Sequence, residues 1–124
     1  MTGDEALLER TFNQADFDRF AALSGDDNPI HVDAAFSARS RFGRPVAHGL
    51  LLVSVLRGLI ERLVPGGRVV HQSIVFPAPT YAGEPMRFLA SLANAEGDGV
   101  TVNLRVSRAG CGTITCEGQS YLTL

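Results

Sequence analysis

Between Gly49 and Leu63 the chain reads Gly-Leu-Leu-Leu-Val-Ser-Val-Leu-Arg-Gly-Leu-Ile-Glu-Arg-Leu, apolar on nearly every side of a helix. A helix with so little polar surface is expected to be buried rather than half-exposed. It is too short and too interrupted to span a bilayer, and Pro65-Gly66-Gly67 ends it. Four β-like runs follow, at residues 68–76, 84–95, 100–108 and 113–122, with turns at Glu96-Gly97-Asp98-Gly99 and Ala109-Gly110-Cys111-Gly112 separating the last three. Residues 100–106 (Val-Thr-Val-Asn-Leu-Arg-Val) alternate strictly, the pattern of a strand with one wet face. A buried helix followed by an antiparallel meander predicts an α+β fold with the sheet wrapped around that helix.

Upstream of the helix, residues 6–12 suit a first strand. Asn13 suits the N-cap of a helix over 14–23, with Phe17, Phe20, Ala21 and Leu23 on its apolar side. A short helix is expected around 34–39. A chain of 124 residues is read as one domain, 1–124, large enough for a core but small for an enzyme that encloses a substrate alone. A net charge of −2 suggests neither a nucleic-acid footprint nor a basic membrane face. With no basic-plus-apolar leader in view, a cytoplasmic protein is expected. Cys111 and Cys116 fit neither a disulfide within one strand nor a CxxC metal site, and are expected to be small buried hydrophobes. Three histidines without tight spacing give no metal site.

The chemistry concentrates in Ser24-Gly25-Asp26-Asp27-Asn28-Pro29-Ile30-His31. Pro29 cannot continue a helix and pushes Asn28 toward an extended conformation, so the segment turns back and Asp26 and His31 can face one cavity. An acid and a base on a rigid loop are the equipment for moving protons. The competing reading makes Asp27 or Asn28 the cap of the following short helix and His31 a structural histidine.

Gly-Asp-x-Asn-Pro-x-His, with Phe20 six residues before Asp26, resembles the signature of the R-specific enoyl-CoA hydratases, the MaoC-like or hydratase 2 family. Residues 41–49 (Arg-Phe-Gly-Arg-Pro-Val-Ala-His-Gly), the helix at 50–63 and residues 76–84 (Phe-Pro-Ala-Pro-Thr-Tyr-Ala-Gly-Glu) resemble later elements of that family in the same order. The resemblance runs from about Leu7 to the C-terminus. It implies a single hot-dog fold, usually a homodimer whose sheets join edge to edge. It also implies reversible hydration of trans-2-enoyl-CoA to an (R)-3-hydroxyacyl product, with no cofactor besides the CoA or acyl-carrier thioester of the substrate.

On that resemblance Asp26 is the acid rather than Asp27. His31 is assigned chiefly to activating water and Asp26 to protonating C2. Gly49 opens the long helix, where backbone N–H groups lack intrahelical partners and the dipole favours negative charge. The matching glycine of the family donates its N–H to the thioester oxygen, and that role is carried over. The alternative for Gly49 is close helix packing. Asn28, His48, Ser54 and Arg57 are candidates for substrate contact. Asn28 equally suits holding the turn, and His48 a local backbone bond. Arg57 replaces a small polar residue of better-known relatives. It could narrow the acyl pocket, bind a charged substrate, pair with Asp26, or lie at the surface or a dimer interface. Arg39, Arg41, Arg44 and Arg68 could meet phosphates, and His71 reads as a strand-face residue. The readings that compete are a tailoring enzyme of polyketide or other secondary metabolism, a hot-dog thioesterase, and a non-catalytic subunit that binds acyl thioesters.

Overall fold

Strands with one apolar face must close over something, and here the long helix fills that face. The computed structural model describes residues 4–124. In chain order the elements are β1 (Glu5–Thr11), α1 (Gln14–Ser24), α2 (Pro29–Val32), α3 (Ala34–Ala38), α4 (Gly49–Leu63), β2 (Arg68–Val75), β3 (Pro85–Glu96), β4 (Gly99–Arg108) and β5 (Ile114–Thr123). The five strands form one antiparallel sheet in the order β1-β3-β4-β5-β2. The meander β3-β4-β5 is its centre, and β1 and β2 are its edges. Helix α4 packs across β1, β3 and β4, the wrapped hot-dog arrangement expected from the sequence.

The core forms where the two apolar patterns meet. Leu52, Leu56, Leu59, Ile60 and Leu63 of α4 pack against Met86, Phe88, Ala90, Val102, Leu104, Val106, Cys116 and Leu122 from the sheet. Phe12 and Phe17 join the cluster, with the Phe12 and Phe88 rings edge to face at 6.0 Å. Helix α1 starts as expected: Asn13 Oδ1 accepts from the Asp16 N–H, and Asp16 Oδ2 accepts from the Asn13 N–H, each at 2.9 Å. Gly25 ends it at φ +82°, in the left-handed region that glycine enters without strain.

Four expectations are corrected. Helix α4 is buried on one face only: Leu50, Ser54, Arg57 and Gly58 are exposed on the other, because the single sheet covers just one side of it. Leu23 is 85% exposed, and the buried side of α1 is carried by Phe17 and Ala21. Cys111 lies exposed in the β4–β5 turn, while Cys116 is buried on β5 with its thiol pushed up to about 11 by desolvation. Finally, neither Asp27 nor Asn28 caps α3. Asn28 caps the single-turn α2, which the sequence reading missed, and Asp33 caps α3.

Candidate active site

Pro29 at the first position of α2 fixes how residues 26–31 run. The Asn28 side-chain oxygen accepts from the Ile30 N–H at 3.1 Å, the His31 N–H donates to the Asn28 carbonyl at 3.0 Å, and the turn closes. Gln14 of α1 reaches across and donates to the His31 carbonyl at 2.8 Å. On the far side, the Val46 N–H donates to the Ile30 carbonyl at 3.0 Å. The imidazole is thereby buried at 8% exposure while Asp26 stays exposed.

His31 Nδ1 lies 2.8 Å from the Val46 carbonyl. A carbonyl only accepts, so Nδ1 carries the proton, and in the neutral ring Nε2 is left as the basic nitrogen. Nε2 stands 3.9 Å from Asp26 Oδ2. A water about 2.8 Å from each atom fits across that gap. Asp26 and His31 therefore present a carboxylate and a basic nitrogen to one small volume, and both line the same cavity of about 760 Å³.

His48 holds the other side. Its ring is stacked on His31 with centroids 3.8 Å apart and planes at 21°, and Phe20 covers it at 4.8 Å. Nε2 donates to the Asp26 carbonyl at 2.8 Å. Nδ1 is then an acceptor, and it is buried without a partner among the described residues. Desolvation, the largest influence, outweighs the bond to the Asp26 carbonyl and, with the neighbouring His31, holds the His48 pKa below the usual histidine value. Asp26, His31 and His48 offer ligand atoms within 4.8 Å of one another. His31 Nδ1 and His48 Nε2 are both turned to backbone carbonyls, so the nitrogen lone pairs left for a ligand are His31 Nε2 and His48 Nδ1.

Gly49 follows His48 as the first residue of α4, and among the described residues no acceptor reaches its N–H. A Cβ built on Gly49 would lie 2.7 Å from Phe76 Cζ, so the glycine also admits the Phe76 ring against the helix terminus. Phe76 lines the cavity with Ile30, Val46, Leu52, Tyr81 and Thr115. Sequence reasoning did not single out Phe76, Tyr81 or Thr115 as walls, although Phe76 and Tyr81 stand inside a stretch it noted. Thr80 donates to Thr115 at 2.9 Å, satisfying both buried hydroxyls.

The cavity thus gathers Asp26, His31, His48 and Gly49. It does not gather Asn28, which is occupied as a cap, or Ser54 and Arg57 on the outer face of α4. The Ser54 hydroxyl donates to the Leu51 carbonyl at 2.7 Å, and Arg57 Nη1 lies 3.7 Å from Glu61 Oε2 one turn on. A pairing of Arg57 with Asp26 is excluded, because the helix turns that side chain toward Glu61 and away from the cavity. Of the noted arginines, Arg41 lines the cavity and Arg39, Arg44 and Arg68 do not. His71 is exposed on β2.

Comparison with known proteins places this geometry in a group. The family model described as a MaoC like domain matches residues 3–109. The chain is 33% identical to an (R)-specific enoyl-CoA hydratase of Aeromonas caviae, over 98% of this chain and 93% of that protein. It is 28% identical to an (R)-specific enoyl-CoA hydratase of Rhodospirillum rubrum, over 95% of this chain and 83% of that one. The solved structure of the A. caviae (R)-hydratase, described as involved in PHA biosynthesis, superposes with a TM-score of 0.90 at 32% identity. That match covers 100% of this chain and 96% of the other.

The lowered His48 pKa makes stability depend on pH. The unfolded ring takes up a proton near pH 6.5 while the folded ring resists it, so stability is full above that pH and is lost as pH falls through the folded value. The urea midpoint should drop between pH 7.5 and pH 5.5, and His48→Gln should flatten that drop. An unchanged slope in the variant would mean that His48 is not held neutral.

Proposed function

The chain belongs to the MaoC-like domain family, and on that premise we propose that it is an (R)-specific enoyl-CoA hydratase, a hydro-lyase that adds water reversibly to trans-2-enoyl thioesters. The observation that carries the reading is the 3.9 Å pair of His31 Nε2 and Asp26 Oδ2 beside an unengaged helix-terminal N–H.

Water bridging the pair loses a proton to His31 Nε2, and its oxygen adds to C3. As that bond forms, electron density moves through C2 to the thioester oxygen, where the Gly49 N–H and the α4 dipole stabilise it. The water's proton passes from His31 through the Asp26 carboxylate to C2, so one water supplies both added atoms. With both groups on one side of the double bond, addition is syn. The Val46 carbonyl keeps His31 in the tautomer this requires. His48 acts as a positioning residue, holding the Asp26 backbone and stacking on the base. No metal or redox group is needed in this scheme, and a cytoplasmic location goes with such a substrate.

Once Arg57 is placed on the outer face of α4, nothing at the cavity favours a tailoring enzyme with an altered site. A binding-only subunit would have no use for a fixed tautomer facing a carboxylate and a free N–H. We also propose a homodimer. Edge strand β2 exposes Val70 and Val75, and Phe76 and Leu50 beside it are 47% and 68% exposed, an apolar area that a second copy would cover. Sedimentation should give twice the 13.2 kDa chain mass; a monomer at micromolar concentration would contradict this.

Loss of the enoyl-thioester absorbance of crotonyl-CoA tests the function. The wild-type protein should turn it over. Asp26→Asn and His31→Gln should each lower kcat by about 10²-fold or more with circular dichroism unchanged. Near-wild-type rates in both would overturn the assignment. Gly49→Ala and Gly49→Pro form a matched pair, since both place a Cβ against Phe76 but only proline removes the N–H. His48 already has the extended backbone that a following proline requires. Proline should be the slower by about 10²-fold; equal rates would place the oxyanion donor elsewhere.

A further inference from the structure

Arg39, Arg41 and Arg44 fall within six residues, and no Asp or Glu occurs anywhere from residue 34 to residue 60. In a chain with net charge −2, this is a local reversal of sign. Among the described residues none of the three forms an ion pair, whereas Arg19, Arg57, Arg87 and Arg108 each do. Arg108, beside the same loop, is balanced by Glu84 at 3.5 Å. Unpaired guanidinium groups therefore collect on one loop, and Arg41 among them lines the cavity.

They are also held in place. The Arg41 guanidinium lies 4.8 Å from the centroid of the Phe42 ring, and that of Arg44 lies 4.1 Å from the Tyr81 ring. The two rings are tied together, because the Tyr81 hydroxyl donates to the Phe42 carbonyl at 2.8 Å. A β-bridge between Val46 and Tyr81 anchors the same assembly to the segment that carries His48 and Gly49. Arg41, Phe42 and Tyr81 line the cavity that holds Asp26 and His31. Among the described residues neither guanidinium has a hydrogen-bond or ion-pair partner, so the N–H groups of both are free. Those N–H groups form the fork that fits phosphate oxygens.

We propose that Arg41 and Arg44, on their aromatic platforms, bind the phosphates at the nucleotide end of coenzyme A while the acyl end lies at Asp26 and His31. The proposal rests on the hydratase reading for its choice of substrate. The adenosine 3′-phosphate 5′-diphosphate of CoA concentrates about four negative charges in one small group. Two rigid, unpaired guanidinium groups on one loop match that better than they match the spread acidic surface of a carrier protein.

The test is a calorimetric titration with adenosine 3′-phosphate 5′-diphosphate, which needs no turnover, using plain adenosine as the control. The wild-type protein should bind the phosphorylated nucleotide and not adenosine, with affinity falling as salt is raised. In the folded Arg41→Gln/Arg44→Gln variant the Kd should rise about tenfold or more. Equal affinity in the variant would overturn the rim, as would a variant penalty seen only with crotonyl acyl-carrier protein. Parallel turnover of crotonyl-CoA and phosphate-free crotonyl-pantetheine separates the two readings. If the rim and the hydratase are both right, the variant loses about tenfold in the ratio of kcat/KM between those substrates. Arginine-dependent nucleotide binding without any turnover would retain the rim and reject the hydratase.

Discussion

Three hydrogen bonds between residues 26–31 and residues 46–48 carry the site. His31 Nδ1 donates to the Val46 carbonyl, the Val46 N–H donates to the Ile30 carbonyl, and His48 Nε2 donates to the Asp26 carbonyl. They join a loop that follows α1 to the segment that leads into α4. Because both imidazoles give a proton to a carbonyl, the bonds fix tautomers as well as positions. One histidine is left with a basic nitrogen toward Asp26, and the other is held neutral beneath it. Asp26 and His31 come from one stretch of chain and the helix-terminal N–H of Gly49 from another, and these bonds turn them into one object.

The fold supplies the rigidity. Helix α4 is clamped by Leu52, Leu56, Leu59, Ile60 and Leu63 against the sheet, so its first residue cannot drift. Pro29 and the Asn28 cap fix the other segment, and Gln14 links it to α1. The Ala47 N–H donates to the Thr80 carbonyl, which brings the 76–84 stretch into the same assembly and sets Phe76 and Tyr81 as walls. Phosphate recognition by Arg41 and Arg44 would build on that frame rather than on a mobile loop.

Much of this was legible in the residues. Strand periodicity, the Asn13 cap and the Pro-Gly-Gly stop placed the elements to within a residue or two, since each has a local cause. The pairing of Asp26 with His31 was legible because an Asn-Pro step between them leaves few ways to run. What failed depends on distant packing. Apolar composition suggested that α4 is covered all round, but one sheet covers one face, and Ser54 and Arg57 fall on the other. Leu23 was expected on the apolar side of α1 and is exposed. Asn28 was open to two readings, a substrate contact or a side chain that holds the turn, and its bond to the Ile30 N–H at the α2 terminus is the second. His48 was left between substrate and backbone, and only coordinates reveal its stacking on His31 and its bond to Asp26. Phe76 as a wall over Gly49 had no signal in spacing at all.

The account turns on a single water shared between Asp26 and His31 on one side of the substrate. Hydrating crotonyl-CoA in D2O and determining both stereocentres of the product tests it most directly. The expected product is the (R)-3-hydroxy thioester with deuterium at C2 added to the same face as the hydroxyl. An S alcohol, anti addition, or deuterium scrambled between the two C2 positions would contradict it.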